Sequence, residues 1–294
     1  MNRRQFINRG ATLLAAGSIA HQHLFAAAAA KPNKGRIGIQ LYSIKDELEK
    51  DFKGGLKKLS DIGYSSVEPY GFTKDEFFGY TMKELSNIVK DLGMSISGSH
   101  IWSGISINNP TDKEWDFWKR VSACVKSGGG KWTVQSSLPR VRSMDDLKNV
   151  VSYFNRAGEI CKQDGTKFAF HNHAEVFTQI DGETILDFLI KNTDPKLVFF
   201  QLDLGHVVRG GGDCVNYIRN YPKRFLLWHA SDFDVVNKQY TDVGQGSVPY
   251  TALFDLAKSS GLEQLVVEQE TKGDIMKSCK VDFDYLKQFK WTKV

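Results

Sequence analysis

From residue 36 onward the chain alternates two kinds of hydrophobic patterning. Short runs rich in β-branched and aromatic residues occur at 36–42, 65–70, 95–100, 131–136, 167–173, 197–204, 225–231 and 264–270, and each reads as a strand. Longer segments with apolar residues at helical spacing lie between them, among them 81–92, 145–162 and 182–192. Several of these spacers run into a glycine (Gly63, Gly93, Gly128, Gly165, Gly261), the residue that best tolerates the left-handed turn closing a helix. Strand and helix alternating eight times predict an α/β fold, a parallel sheet closed into a (β/α)8 barrel. An open doubly wound sheet would place a Gly-rich phosphate turn after its first strand; Ile39-Gln40-Leu41-Tyr42-Ser43 stands there instead.

A barrel of this kind builds its active site at the C-terminal ends of the strands, and polar residues gather there. The first strand ends at Gln40 and Tyr42, the second at Glu68, the third at His100 and the fourth at Gln135. The fifth offers His171, His173 and nearby Glu175, the sixth Asp203 and His206, the seventh His229 and Asp232, the eighth Glu268 and Glu270. Any one such residue is more often a satisfied structural group. The distribution of histidine changes the balance: five of the seven lie at these strand ends, the other two being His21 and His23 near the N-terminus.

Carboxylates and imidazoles facing one another in a barrel mouth would cost several kcal/mol if left uncompensated, and a divalent cation resolves the conflict. Asp203, His229 and Glu268, on strands six to eight, supply a nitrogen and two oxygens, a mix suited to Mn, Co, Zn or Mg. A fourth ligand is expected from strand five. His171 and His173 alternate onto one face, and Glu175 could fold back; the reading favours His171. Tyr42, Tyr70, Phe72, Trp102 and Phe233 near the strand ends suit stacking on a sugar or plain rim packing equally. Trp115 and Trp118, at helical spacing, are assigned to barrel packing.

The ordered set Gly38-Ile39-Gln40-Leu41-Tyr42-Ser43, Val67-Glu68, His171-Asn172-His173, Asp203-Leu204-Gly205-His206, His229-Ala230-Ser231-Asp232, Gly244-Gln245-Gly246 and Val267-Glu268 resembles the xylose-isomerase-like TIM barrel superfamily. The likeness is to its sugar phosphate isomerase/epimerase branch, which includes inosose dehydratases. It implies one divalent metal held by Asp203, His229 and Glu268, to which His171 is added as the expected fourth ligand, and a substrate contact from His206; Gln40, Glu68 and His100, at neighbouring strand ends, are further expected substrate contacts. It also implies proton abstraction α to the carbonyl of a keto sugar by way of an enediolate, giving an isomerase or epimerase if a proton returns. Loss of a β substituent would instead give a lyase or dehydratase acting on 3-keto-glycosides or inosose-like sugars. Epimerases of this branch carry a strand-five glutamate that is both ligand and acid/base, whereas this chain has His171; that leaves His171 or His173 as base and Glu175, His206 or Glu268 as proton donor, with His173, Glu175 and Glu268 the favoured catalytic groups. Homo-oligomers are common among such proteins.

The N-terminus adds a location. Asn2-Arg3-Arg4-Gln5-Phe6-Ile7 followed by an Ala/Leu-rich stretch reads as a twin-arginine export signal over 1–30, ahead of a single barrel domain at 31–294, and places the protein in the periplasm. His21-Gln22-His23 interrupts the apolar run, so no stable membrane span is expected. Of the formal charge of +5, the basic residues Arg3, Arg4, Arg9, Lys31, Lys34 and Arg36 account for more than the whole, leaving a near-neutral barrel. That argues against nucleic acid as partner and against an endonuclease IV-like activity, which needs a basic groove and more metal ligands. A non-catalytic sugar-binding barrel would be expected to have lost ligand positions that are intact here. Cys124, Cys161, Cys214 and Cys279 are too dispersed for a disulfide framework or zinc knuckle. Gly210-Gly211-Gly212 reads as a flexible loop rather than a phosphate cradle.

Overall fold

A computed structural model describes residues 37–104 and 106–291; the export signal read at 1–30 lies outside the described residues. The strands are β1 (Gly38–Gln40), β2 (Ser66–Glu68), β3 (Ser95–Ile96, resuming as Gly98–Ile101), β4 (Trp132–Gln135), β5 (Lys167–His171), β6 (Val198–Asp203), β7 (Leu227–Ala230) and β8 (Gln264–Val267). Every pairing among them is parallel, and β8 pairs back onto β1. The expected (β/α)8 architecture is what forms.

The ring closes through β3, whose first piece pairs with β2 and whose second pairs with β4. Ser66 faces Ser95 while Tyr70 faces His100, so β3 carries one residue more than β2 over the same length. Such a bulge moves every later side chain to the opposite face. The inward phase passes from Ser95 to His100, and this one-residue slip is what turns His100 into the barrel. The strand expected over 95–100 is therefore two pieces. Strands five and eight also stop short of expectation, at His171 and Val267, so that His173 and Glu268 stand on the loops just beyond.

Helices clothe the barrel, several started by a side chain that takes up a free amide of the first turn, as Asp51, Thr81, Ser143, Asp213 and Asp274 do. Gly165 and Gly261 close theirs in the left-handed region as expected; at Gly128 the helical conformation persists and Gly129 takes the positive φ. Outward strand residues Phe168, Phe170 and Trp228 pack on Trp118, Phe154 and Phe254 of the helices. Trp118 is buried and donates to the Tyr153 hydroxyl, which supports its reading as packing. Each such aromatic contributes roughly 1.5–3 kcal/mol of burial. Inside, Trp132, Val134, Ala169, Leu226 and Leu227 form an apolar floor with Phe199 against it, capped at the N-terminal end by Lys167, which pairs with Glu263.

Above that floor the inward positions are polar. Two-stranded hairpins follow β2, β5 and β7 on the same face of the barrel: Glu76–Phe77 with Tyr80–Thr81, Gln179–Ile180 with Glu183–Thr184, and Asp232–Asp234 with Gln239–Thr241. The hairpin after β5 delays the helix expected from residue 182, which begins at Ile185. Gly210–Gly212 is no loose loop: a Cβ on Gly210 or Gly212 would meet the Phe177 ring at 2.5 and 2.8 Å. Among the described residues no helix is long and apolar enough to cross a membrane.

Candidate metal centre and active site

The parity that packs Phe168, Phe170 and Trp228 outward turns His171, Gln201, Asp203 and His229 inward. His171, Asp203 and His229 are fully buried, and together with Glu268 their nearest donor atoms lie within 4.8 Å of one another. Two of these atoms, His171 Nε2 and Asp203 Oδ2, have no hydrogen-bond partner among the described residues. Leaving such groups unpaired costs about 1–3 kcal/mol each. Both belong to the same cluster, and a divalent cation would satisfy them together.

The remaining bonds orient these atoms. Asp203 Oδ1 accepts from the His206 amide at 2.7 Å and the Ser231 hydroxyl at 2.6 Å, which leaves Oδ2 free. Ser231 can approach because residue 205 is glycine: a Cβ there would sit 2.4 Å from Ser231 Oγ. Asn172 clamps the backbone of Asp203, accepting from its amide at 3.0 Å and donating to its carbonyl at 3.3 Å.

Beneath the cluster lies a second layer built on Glu68. Its Oε1 accepts from Gln40 Nε2 at 2.8 Å and stands 3.1 Å from His229 Nε2 and 3.0 Å from His100 Nε2; its Oε2 accepts from Gln201 Nε2 at 2.9 Å. An ionised carboxylate only accepts, so the facing nitrogens must carry hydrogens. His229 thereby carries a hydrogen on Nε2, and Nδ1 is the nitrogen that faces the cluster, where a cation would take the place of a second proton. The Gln201 amide is fixed with its oxygen toward His171 Nδ1 at 3.1 Å, so His171 carries its proton on Nδ1 and presents Nε2 as a ligand atom.

The electrostatics follow from this packing. Burial alone would push Glu68 and Glu268 up, but the His100 and His229 imidazoles hold Glu68 below the ordinary range, and His229 holds Glu268 at about 2. Burial works against the His229 imidazolium too, yet the two carboxylates raise it to about 10, with Glu268 Oε2 only 2.7 Å from Nδ1. The same carboxylates would hold a cation. His171 is held far below the usual imidazole range by burial and by the four other imidazoles. Burial raises Asp203 to about 6.

His173 and His206 form the rim, their ring centroids 4.7 Å apart. Burial and His206 lower His173; burial opposes the His206 imidazolium, but Asp203 and Glu270 raise it to about 9. Tyr240, on the hairpin after β7, has its hydroxyl 2.6 Å from His206 Nδ1 and accepts from Arg209 at 3.3 Å, while Glu270 Oε1 lies 3.2 Å from His206 Nε2. Glu175 is more than half exposed, 3.7 Å from His173 Nδ1, and does not join the cluster.

Two all-imidazole groupings also come together, His100 with His171 and His229, and His171 with His173 and His206. Neither carries a carboxylate, and His100 Nε2 is already engaged with Gln201 and Glu68, so the mixed set suits a divalent cation best.

Gln40, Glu68 and His100, expected as substrate contacts, lie under the cluster with their polar atoms turned to one another, while His206 stands at the mouth. Sequence reasoning passed over Gln201, Asn172, Ser231 and Tyr240. Gln201 was findable, since it stands two positions before Asp203 and must share its face. Asp232 proves to be an anchor: it accepts from the amides of Gly244, Gly246 and Val248, which explains why the Gly244-Gln245-Gly246 turn accompanies it.

A family model described as xylose isomerase-like TIM barrel matches residues 56–293. The chain belongs to that family. A sugar phosphate isomerase/epimerase from Parabacteroides distasonis is 30% identical with a TM-score of 0.76, the match covering 88% of this chain and 95% of that one. An inosose dehydratase of Clostridium tetani is 28% identical over 144 residues, 43% of this chain and 48% of its own length. The chain thus spans about half the length of the curated relatives it matches. The IolI protein, solved with a bound zinc atom, shares the fold at 14% identity and a TM-score of 0.65, over 87% of this chain and all of that one.

Proposed function

We propose that this protein is a divalent-metal-dependent enzyme that removes a proton from the carbon next to the carbonyl of an unphosphorylated keto sugar. The observation carrying this reading is the buried His171, Asp203, His229 and Glu268 cluster with two ligand atoms left open. A bound cation of the Mn, Co, Zn or Mg class would polarise the sugar carbonyl and so ease loss of the neighbouring proton. His173, half-buried at the rim with its proton affinity lowered, takes that proton, and Glu175 beside it steadies the ring. His206, protonated and held by Tyr240 and Glu270, is the donor. Glu268 Oε2 and His229 Nδ1, 2.7 Å apart, would hold the cation on the far side. Delivery of a proton to the former carbonyl carbon completes an isomerisation, and delivery to the original carbon from its other face an epimerisation.

The alternative outcome is a lyase or dehydratase. It draws support from the 4.7 Å approach of His173 and His206 on one side of the cluster. With base and acid on the same face, His173 takes the α proton while His206 protonates a β oxygen. The C–O bond breaks, water or an alcohol leaves, and a double bond conjugated with the carbonyl remains. The partial match to inosose dehydratases points the same way. We place the enzyme outside the cytoplasm on the twin-arginine pattern of its first residues, where sugar phosphates are scarce.

Metal analysis of the purified protein, then incubation with free ketoses and with glucosides oxidised at C3 in D₂O, tests the reading by NMR. Deuterium beside the carbonyl with the skeleton intact supports the isomerase; release of water or aglycone with an unsaturated keto sugar supports the lyase. A protein with neither metal nor exchange would overturn both.

A further inference from the structure

The candidate cation cluster is closed from below by Glu68, Gln40 and Gln201, and its residues are buried or nearly so. Beside it, past Tyr240 and Glu270, lies a cavity of about 530 Å³ whose rim includes Lys238, Lys272, Asp242 and Gln245. That volume falls in the ~300–1,000 Å³ range of small-molecule sites. The cavity is continuous with the chemistry through two residues that belong to both: Tyr240 bonds His206, and Glu270 lies 3.2 Å from it.

We infer that this cavity is a second subsite, which receives the glycosidic partner of a neutral keto-glycoside whose reacting ring lies over the cluster. The assignment rests on the functional reading above and extends it to a substrate of at least two linked units. Charge identifies the occupant's class. Two lysines face two carboxylates, Asp242 and Glu270, with no arginine on the rim, so there is no surplus of positive charge to hold a phosphate. The Gln239 and Gln245 side chains make no hydrogen bond among the described residues and stand ready for hydroxyl groups. Tyr240 presents a ring edge between cavity and cluster, as suits a sugar crossing from one to the other. Because His206 sits at this junction, the group leaving toward the cavity is the one its proton reaches.

The test is calorimetric titration of glucose, cellobiose and glucose 6-phosphate into the metal-loaded protein and into the Gln245→Trp variant, which fills the cavity from an exposed loop position. Cellobiose should bind at least tenfold more tightly than glucose, and Gln245→Trp should abolish that advantage while leaving glucose affinity within twofold. Equal affinities for the two sugars, an advantage untouched by Gln245→Trp, or tighter binding of glucose 6-phosphate would each overturn the assignment. If cellobiose shows the expected preference but no oxidised glycoside exchanges or loses its aglycone, the catalytic reading fails and the subsite stands.

Discussion

The sharpest perturbation is Glu68→Gln. Glu68 is fully buried and uses both oxygens as acceptors: Oε1 serves Gln40, His229 and His100, and Oε2 serves Gln201. A glutamine is isosteric but brings an amide donor into a ring of donors. If its NH₂ group faces Gln201, that side chain must turn over and aim its own NH₂ at His171 Nδ1. The proton on His171 then moves to Nε2, where it blocks the ligand atom. If the NH₂ group faces His229 instead, the same fault appears there, with the proton driven onto Nδ1. In either orientation one imidazole of the cluster presents N–H where a lone pair is required.

Loss of an outer partner of this kind typically weakens metal binding by ~10–100-fold, about 1.4–2.7 kcal/mol. One strained donor pair in a buried network should also lower global stability by roughly 1–3 kcal/mol. Zinc or manganese titrated into metal-stripped protein measures the first quantity, and urea unfolding monitored by circular dichroism the second. Glu175→Gln serves as control, because Glu175 is exposed and outside the cluster, and should leave metal affinity unchanged. A Glu68→Gln protein that binds metal within twofold of the parent but shows a raised KM for sugar would refute the reasoning. It would return Glu68 to the substrate-contact role expected from sequence.

Asp203→Asn should stay folded, because an amide oxygen can still accept from His206 and Ser231, yet lose the metal-dependent rise in Tm; the parent at 100 times Kd should gain about 2.7 kcal/mol, and an unchanged metal response in the variant would remove Asp203 from the ligand set. Tyr240→Phe strips His206 and Arg209 of a partner, so turnover should fall about tenfold, one hydrogen bond's worth, with metal affinity constant; equal turnover would detach the hairpin from the chemistry. Asp282, held between the Val243 amide and Gln269 with Asp242 and Asp232 nearby, is raised by burial from 3.8 to about 7. Its folded state therefore keeps a proton the unfolded chain has released, so its stabilisation is complete at pH below about 4 and fades as pH rises toward 7. Asp282→Asn should accordingly melt higher than the parent at pH 8, by up to ~4 kcal/mol, and converge with it near pH 4; a variant less stable at pH 8 would show the carboxylate to be favourably ionised.

The barrel was legible because two periods, 2 and 3.6, are written into the chain in alternation, and the candidate cluster because polar residues at strand ends are exceptions to an apolar rule. What stayed hidden depends on register. The bulge near Ser97 leaves no mark in composition, since Ser95, Ser97 and Ser99 look alike, yet it decides that His100 faces inward. Glu68 was found but its surroundings were not: a strand-end carboxylate looks the same whether it meets solvent or the underside of a histidine, and only the positions of Gln40 and Gln201 distinguish them. The glycines at 210 and 212 were read by their freedom, whereas their function here is to make room for Phe177.

The substitution at strand five ties these points together. With glutamate there, a cluster would hold three carboxylates and one imidazole, and a divalent cation would leave it with a net charge of −1. With His171, two carboxylates would balance a divalent cation, and a neutral centre would draw electron density from a carbonyl more strongly. On the proposed reading the same change removes the carboxylate that would otherwise abstract the proton, and the task would pass to the rim, where His173 stands beside His206. A base and an acid on the same side suit proton transfers at two adjacent atoms, as in isomerisation or β-elimination, better than transfer across the two faces of one carbon. The imidazole at 171 thus accounts at once for the ligand whose tautomer Gln201 must fix and for the displaced base. On the proposed lyase reading it would also direct departing atoms toward the cavity beside Tyr240 and Glu270.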